Sequence, residues 1–176
     1  MRKTNKLIFI SLLVSVGLAL SVLESSIPIP IPVPGAKLGL SNIVILVTLV
    51  VFGFKEGIIV AMLKSILLML ITGSVTSFIY SITGAVLSCI AMYISYRYLS
   101  KFFSMIGTSV IGAVFHNIGQ VTIAAIILNN IMIYTYLPFL LLMSLFTGFF
   151  VGLATHYIVK NLKINFNSIF ESRNKK

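Results

Sequence analysis

The sequence has few acidic residues and contains no aspartate. Its three carboxylates belong to Glu24, Glu56 and Glu171, which lie far apart in the chain. Magnesium-assisted diphosphate chemistry and metal-assisted hydrolysis usually need clustered carboxylates. A nucleophile with an ordered base and a phosphate-binding loop are also missing. We therefore predict that this chain is not an enzyme by itself, that it has no cofactor, and that it does not drive transport with ATP on its own.

Thiols and other metal ligands are equally scarce. The one cysteine, Cys89, lies inside an apolar run and has no second cysteine with which to form an intrachain disulfide. We expect it to be a small packing residue. His116 is accompanied by amides but by no nearby thiolate or carboxylate, which is a poor set of metal ligands. The sequence predicts no metal site.

Charged residues make up only 9% of the chain, whereas hydrophobic residues make up 59%. About a quarter of the residues in a typical soluble domain are charged. Six apolar runs recur, and each approaches the roughly 20 residues that a helix needs to cross a bilayer. We predict an all-α integral membrane protein with one six-helix domain over residues 1–160 and a basic cytoplasmic tail over residues 161–176. The runs are residues 7–23, 38–54, 57–72, 74–96, 102–128 and 137–159.

The first run follows the basic lead MRKTNK and could be read as a signal peptide. Because five further runs follow it, a retained first helix is the simpler interpretation. Basic residues cluster on one side of the predicted membrane fold, and the positive-inside rule then puts both termini in the cytoplasm. We expect the protein in the cell membrane, in contact with lipid.

The net charge of +10 would suggest nucleic acid in a soluble protein, but here topology and anionic headgroups explain it. We predict no nucleic-acid partner. The predicted outer side holds one basic residue, Lys37. The predicted cytoplasmic side holds Arg2, Lys3, Lys6, Lys55, Arg97, Lys101, Lys160, Lys163, Arg173, Lys175 and Lys176.

A stiff segment, IPIPIPVPG, occupies residues 27–35. Proline fixes φ, removes backbone donors and favours extended geometry in the residue before it. The segment should therefore end the first helix and lie against the outer side of the bundle as a cap. Two interpretations stay open, a rigid connector or one wall of a binding site. Glu24 and Lys37 flank the segment, and an ion pair between them would close it.

Two polar features lie at predicted membrane depth. Lys64 is near the centre of the third run, where a charge costs a few kcal/mol and marks a functional site by default. The motif FHNIGQ, residues 115–120, places His116 and Gln120 on one helix face, with Asn117 beside that face. Interhelical hydrogen bonding is the structural alternative. The cluster of imidazole and amides at the depth of a lysine favours a polar cavity.

Small residues recur at four-residue spacing along the first run, at Ser11, Ser15 and Ala19. Such a row lets helix backbones approach closely. It would serve packing within the protein or against a partner.

Three stretches carry a resemblance to a known family. They are SVLESSIPIPIPVPGAKLGLSNIVILVTLVVFGFKEG, YSITGAVLS and GTSVIGAVFHNIGQV. Over about residues 7–159 the chain resembles the family labelled both heptaprenyl diphosphate synthase component I and Gx transporter. That family is similar in size and span count to the substrate-binding components of energy-coupling factor transporters. Those components capture a vitamin or related metabolite from outside and associate with a shared transmembrane and ATPase module.

The resemblance implies a membrane subunit that binds and translocates a small, vitamin-like or cofactor-like metabolite, with an anionic group as one option. The cavity would be bounded by Glu24, Lys37 and Asn42. The deeper residues would be Lys64, His116, Asn117 and Gln120. Ser11, Ser15 and Ala19 would then meet the ATPase-bearing module.

The synthase label implies a different role. Without aspartate-rich magnesium sites, the chain would be a non-catalytic accessory protein of isoprenoid or quinone biosynthesis, beside a separate prenyl synthase subunit. A purely structural membrane scaffold is a third interpretation. It predicts that Lys64 and His116 tolerate apolar replacement.

Overall fold

The computed structural model describes the backbone of residues 3–27 and 37–174 and the side chains of residues 4–27 and 37–162. Within these ranges the chain is helical and has no β-strand, which confirms the all-α prediction. Residues 28–36 of the proline segment lie outside the described residues. The helices are α1 (Lys3–Ser25), α2 (Asn42–Phe52), α3 (Phe54–Thr72), α4 (Val75–Tyr98), α5 (Met105–Ile127), a short 3₁₀ helix (Ile131–Tyr136) and α6 (Leu137–Asn174).

Four helical segments are long and apolar enough to cross a membrane, as expected for a multi-pass membrane protein. They are Thr4–Ser25, Val75–Tyr98, Met105–Ile127 and Ile131–Leu162. The last of these includes the 3₁₀ helix, and α6 continues to Asn174, so its helix extends into the segment predicted as a tail. α3 has 19 residues but contains three charged side chains, those of Lys55, Glu56 and Lys64.

The second predicted run, 38–54, is not one helix, and the prediction is wrong in its length. α2 begins only at Asn42 and has 11 residues, or about 17 Å of helix against roughly 30 Å of hydrocarbon. Two glycines explain the difference, because Gly39 and Gly53 have φ angles of 81° and 104°. These angles suit glycine and interrupt a right-handed helix. Residues 37–41 therefore enter the protein as non-helical chain.

The most extensive packing between helices is that of α5 against α4 and α6. α1 is peripheral and contacts only α2 and α3 among the described helices. One apolar cluster includes side chains of α1, α2, α3 and α4, among them the buried Ile45 and Leu46 of α2. A second cluster joins α4, α5 and the start of α6 around Val121 and Leu140.

The side chains are distributed as in a membrane protein. Large apolar side chains face outward, including Leu70, which is 69% exposed, and Phe102, which is 81% exposed. The interior instead contains many hydroxyl, amide and charged groups, such as Thr48 and Lys64. Apolar exposure of this extent suits a lipid environment, where polar groups are placed inside the bundle.

Candidate functional site

Six of the seven residues predicted to bind substrate meet in one place, which we call the buried polar site. Its side chains come from α1, residues 37–41, α2, α3 and α5, and each is at most 8% exposed. The members of the site are Glu24, Lys37, Ser41, Asn42, Lys64, His116 and Gln120.

Residues 37–41 lie at the centre of this site. The backbone N–H of Lys37 donates to Oε1 of Gln120 at 3.1 Å, which connects the segment to α5. The backbone N–H of Leu40 donates to Oε1 of Glu24 at 2.5 Å, which connects it to the end of α1. Gly39 adjoins Asn42 and His116, since a Cβ built on it would lie 2.9 Å from Nδ2 of Asn42 and 3.7 Å from Cδ2 of His116. Non-helical backbone at this depth is tolerated where it is enclosed by protein or lines a cavity.

Lys64 reaches this segment from α3. Its ammonium group donates to Oγ of Ser41 at 2.7 Å, and the residue is 1% exposed. Sequence reasoning missed Ser41 as a site residue. The only signal for it was its place beside Asn42, because the contact with Lys64 spans 23 positions of chain.

Glu24 is the carboxylate of the site. Its charge acts favourably on both Lys37 and Lys64. Burial lowers the pKa of Lys37 from its ordinary value, and the negative charge of Glu24 partly opposes this shift. The predicted relation between Glu24 and Lys37 is therefore electrostatic, and no ion-pair contact joins them among the described side chains. The site contains two ammonium groups and one carboxylate.

Several polar atoms of the site have no hydrogen-bond partner among the described residues. They are Oε2 of Glu24, Nδ2 and Oδ1 of Asn42, Nδ1 of His116, Nε2 of Gln120, and the hydroxyl of Ser21 nearby on α1. Each of these residues is at most 3% exposed. Buried polar groups in proteins are nearly always paired with protein or ordered water. Donors and acceptors are thus available for a polar molecule.

Asn117 points elsewhere. Its Nδ2 atom donates to the carbonyl of Leu140 at 3.0 Å and to Oγ of Ser144 at 2.8 Å, both on α6. Neighbouring residues in a helix point about 100° apart, so Asn117 faces α6 while His116 faces the site and packs against Gly84 of α4. The structure thus places Asn117 in an interhelical contact. A part in substrate binding stays a prediction.

The two faces of α1 differ in character. Ser11, Ser15 and Ala19 are exposed, and the Ser15 hydroxyl donates to the Ser11 carbonyl at 3.0 Å, within the helix. On the inner face, a Cβ built on Gly17 would lie 2.5 Å from Cγ2 of Val44 and 3.3 Å from Cδ of Lys64. The row that was predicted as a partner interface is therefore exposed, and Gly17 on the inner face lies against the aliphatic stem of Lys64.

Among the side chains that the structure describes, no three His, Cys, Asp or Glu residues lie close enough together to hold a metal ion. The polar groups of the buried polar site are ammonium, carboxylate, amide, imidazole and hydroxyl groups.

These observations define a class: a helical membrane protein with a cluster of ionisable and amide groups enclosed between its helices. Residues 13–158 match the family model described as heptaprenyl diphosphate synthase component I. The chain belongs to this family, as its motifs indicated. No curated protein matches the chain, and no solved structure does.

Proposed function

We propose that this protein is a multi-pass subunit of the cell membrane that binds a small anionic metabolite in the buried polar site and takes part in its uptake. The observation that carries the proposal is the charge of the site. Two ammonium groups, Lys37 and Lys64, lie with one carboxylate, Glu24, in surroundings that exclude most solvent. Buried charges are normally paired. A ligand with one negative charge would balance them.

The unpartnered atoms suggest how the rest of the ligand is bound. Asn42 offers both an amide donor and an acceptor, and Gln120 offers a donor. Charge-assisted bonds from Lys64 would fix an anionic group, while the two amides would orient a polar ring or chain. A vitamin-like or cofactor-like molecule with a carboxylate or phosphate has this combination of groups.

The proposed topology follows from the placement of basic residues. Six helices with both termini in the cytoplasm place residues 37–41 and the end of α1 on the outer side. A ligand would then enter the site from outside. Translocation would need an energy source from elsewhere, and an energy-coupling module with ATPase subunits could dock on Ser11, Ser15 and Ala19 of α1, which are exposed.

A second candidate function is supported by the family description. A component I of heptaprenyl diphosphate synthase would be a non-catalytic partner of a synthase subunit in isoprenoid or quinone biosynthesis. The absence of aspartate from the sequence agrees with a non-catalytic role. In this case the buried polar site would bind part of a lipid-linked intermediate.

Native mass spectrometry of the protein, purified in mild detergent from its own membranes, tests both functions. A bound small anion together with ATPase-module subunits would support uptake. A prenyl lipid or a prenyl synthase subunit, with no ATPase module, would support the accessory role instead. If the protein purifies with bulk lipid alone, and if replacing Lys64 by methionine does not alter the set of co-purifying molecules, both functions would be contradicted. A structural scaffold would then be favoured.

A further inference from the structure

A second polar pocket lies at the opposite end of the bundle from residues 37–41. It has a volume of about 550 Å³ and is enclosed by the turn between α2 and α3 and by the last turns of α4. Among its lining residues, we call the buried Leu49 and the half-buried Phe52 of α2 the floor, and the exposed Lys55 and Arg97 the rim. We call it the basic-end pocket. It shares no side chain with the buried polar site.

The rim has an excess of positive charge. Glu56 also lines the pocket, but its carboxylate is already ion-paired with Lys6 of α1. Lys55 and Arg97 are exposed, and neither is within ion-pair distance of a carboxylate among the described side chains. These two cations are therefore free to interact with an anion.

The position of Lys55 in its helix also favours the binding of an anion. It lies in the first turn of α3, where the helix dipole is positive and disfavours a cation. An anion bound beside Lys55 would reverse this unfavourable interaction, and the backbone dipole of α3 would then stabilise the complex.

The aromatic rings of Phe54, Tyr93 and Tyr96 form a third part of the lining, which we call the wall. Phe54 and Tyr93 are in contact, with ring centroids 4.6 Å apart and planes inclined by 35°. Tyr96 completes the wall. Aromatic side chains are enriched where the hydrocarbon of a bilayer meets water. The pocket thus combines cations, aromatic rings and apolar side chains, as would suit a molecule with an anionic head and an apolar neck.

We propose that the basic-end pocket binds the phosphate of an anionic membrane lipid, with the headgroup between Lys55 and Arg97 and the neck of the lipid against Leu49 and Phe52. An anionic lipid and a soluble phosphate share only the phosphate group. The apolar floor points to the lipid. This proposal is independent of what the buried polar site binds.

The test uses native mass spectrometry of the full chain in detergent micelles to which phosphatidylglycerol or phosphatidylcholine is added. Lys55→Gln with Arg97→Gln removes two rim charges. Lys101→Gln with Lys160→Gln is the matched control, because both lysines are exposed basic residues that do not line the pocket. Only the first pair would remove charge-assisted contacts between the rim cations and a phosphate in the pocket. We expect the first pair to weaken phosphatidylglycerol binding by at least about tenfold, and the control to leave it within about twofold.

Three results would overturn the proposal. Equal losses in the two double variants would show that only the general surface charge attracts the lipid. Equal binding of phosphatidylcholine would show that net negative charge is not recognised. Displacement of phosphatidylglycerol by glycerol phosphate at the same concentration would show that the pocket binds a soluble phosphate without using its floor. Thermal unfolding of each variant, expected to match the parent protein, verifies that the folds are comparable.

Discussion

The ammonium group of Lys64 on α3 donates a hydrogen bond to the hydroxyl of Ser41, the residue that precedes α2, across 2.7 Å. A hydroxyl satisfies one donor but contributes no charge. Lys64 is almost completely enclosed, so its charge depends on Glu24 and on any anion that enters. The proposed function requires such a cation, because its charge is not already neutralised by direct contact with a carboxylate among the described side chains.

Replacing Lys64 by methionine keeps most of the side-chain volume and removes the charge. We expect affinity for the co-purifying anion to fall by roughly tenfold to hundredfold, since hydrogen bonds to charged groups contribute about 1.5–3 kcal/mol. The free energy of unfolding should be unchanged or higher, because an apolar residue replaces a buried charge. Titration calorimetry and thermal unfolding measure the two effects. A comparable loss of both would mean that Lys64 is structural.

Replacing Glu24 by glutamine tests the sign of the ligand's charge. The amide oxygen of glutamine still accepts the Leu40 N–H, so the hydrogen bond at 2.5 Å keeps an acceptor while the negative charge is lost. The ammonium groups of Lys37 and Lys64 then lose their counter-charge. We expect affinity for an anion to rise, on the order of tenfold, and the ligand-free protein to unfold at lower temperature. A fall in affinity would indicate that Glu24 binds a cationic group of the ligand.

Asn117 and Gln120 lie one turn apart on α5 but should respond differently to leucine. Asn117→Leu removes two hydrogen bonds to α6. It should lower the free energy of unfolding by about 1–3 kcal/mol, with ligand affinity of the folded protein retained. Gln120→Leu removes the acceptor for Lys37 and an unpartnered donor, and should weaken ligand binding by about tenfold. Measuring affinity and unfolding for both variants separates the roles. Identical profiles would contradict the assignment.

Gly17 and Ala19 provide a matched pair on the two faces of α1. Leucine at position 17 would clash with Val44 and with the stem of Lys64, so we expect Gly17→Leu to displace α1, destabilise the protein by about 1–3 kcal/mol and weaken ligand binding. Ala19 is exposed, and Ala19→Leu should leave both properties unchanged while reducing co-purification of partner subunits. Partner recovery that is unaffected by Ala19→Leu would remove this face from the proposed interface.

The ion pair between Lys6 and Glu56 predicts a pH dependence for the attachment of α1. The ammonium group of Lys6 holds the pKa of Glu56 below its ordinary value of 4.5. The pair therefore stabilises the fold above that value, and the contribution disappears as the pH falls through the lowered pKa. We expect hydrogen exchange in the first turns of α1 to quicken over this acidic range. Lys6→Gln should show fast exchange already at neutral pH. An unchanged pH profile in Lys6→Gln would contradict the prediction.

The sequence predicted the class of fold and most of the site from simple rules. The low share of charged residues, together with apolar runs of nearly the length of a membrane-spanning helix, predicted a helical membrane protein. The four-residue spacing of His116 and Gln120 correctly placed both on one face. Lys64 stood out because a charge at the centre of an apolar run demands a partner.

The parts that the sequence did not predict depend on contacts between distant residues and on backbone geometry. No local sequence pattern predicts that Asn117 forms hydrogen bonds with α6. An amide side chain near a site has the same sequence pattern whether it binds a ligand or a neighbouring helix. The late start of α2 depends on the φ angle of Gly39, which glycine permits but does not require. Ser41 was missed because its partner, Lys64, lies on another helix.

The order of the site residues along the chain has a consequence for biogenesis. Ribosomes deliver the chain from its N-terminus, so Glu24, Lys37 and Ser41 are made before Lys64 leaves the ribosome. When α3 is made with its buried cation, the carboxylate and the hydroxyl that accommodate this cation are therefore already present in the preceding segments. His116 and Gln120 are made last, on α5. The groups that accommodate Lys64 thus precede it in synthesis, whereas the buried polar site is complete only once α5 has been made.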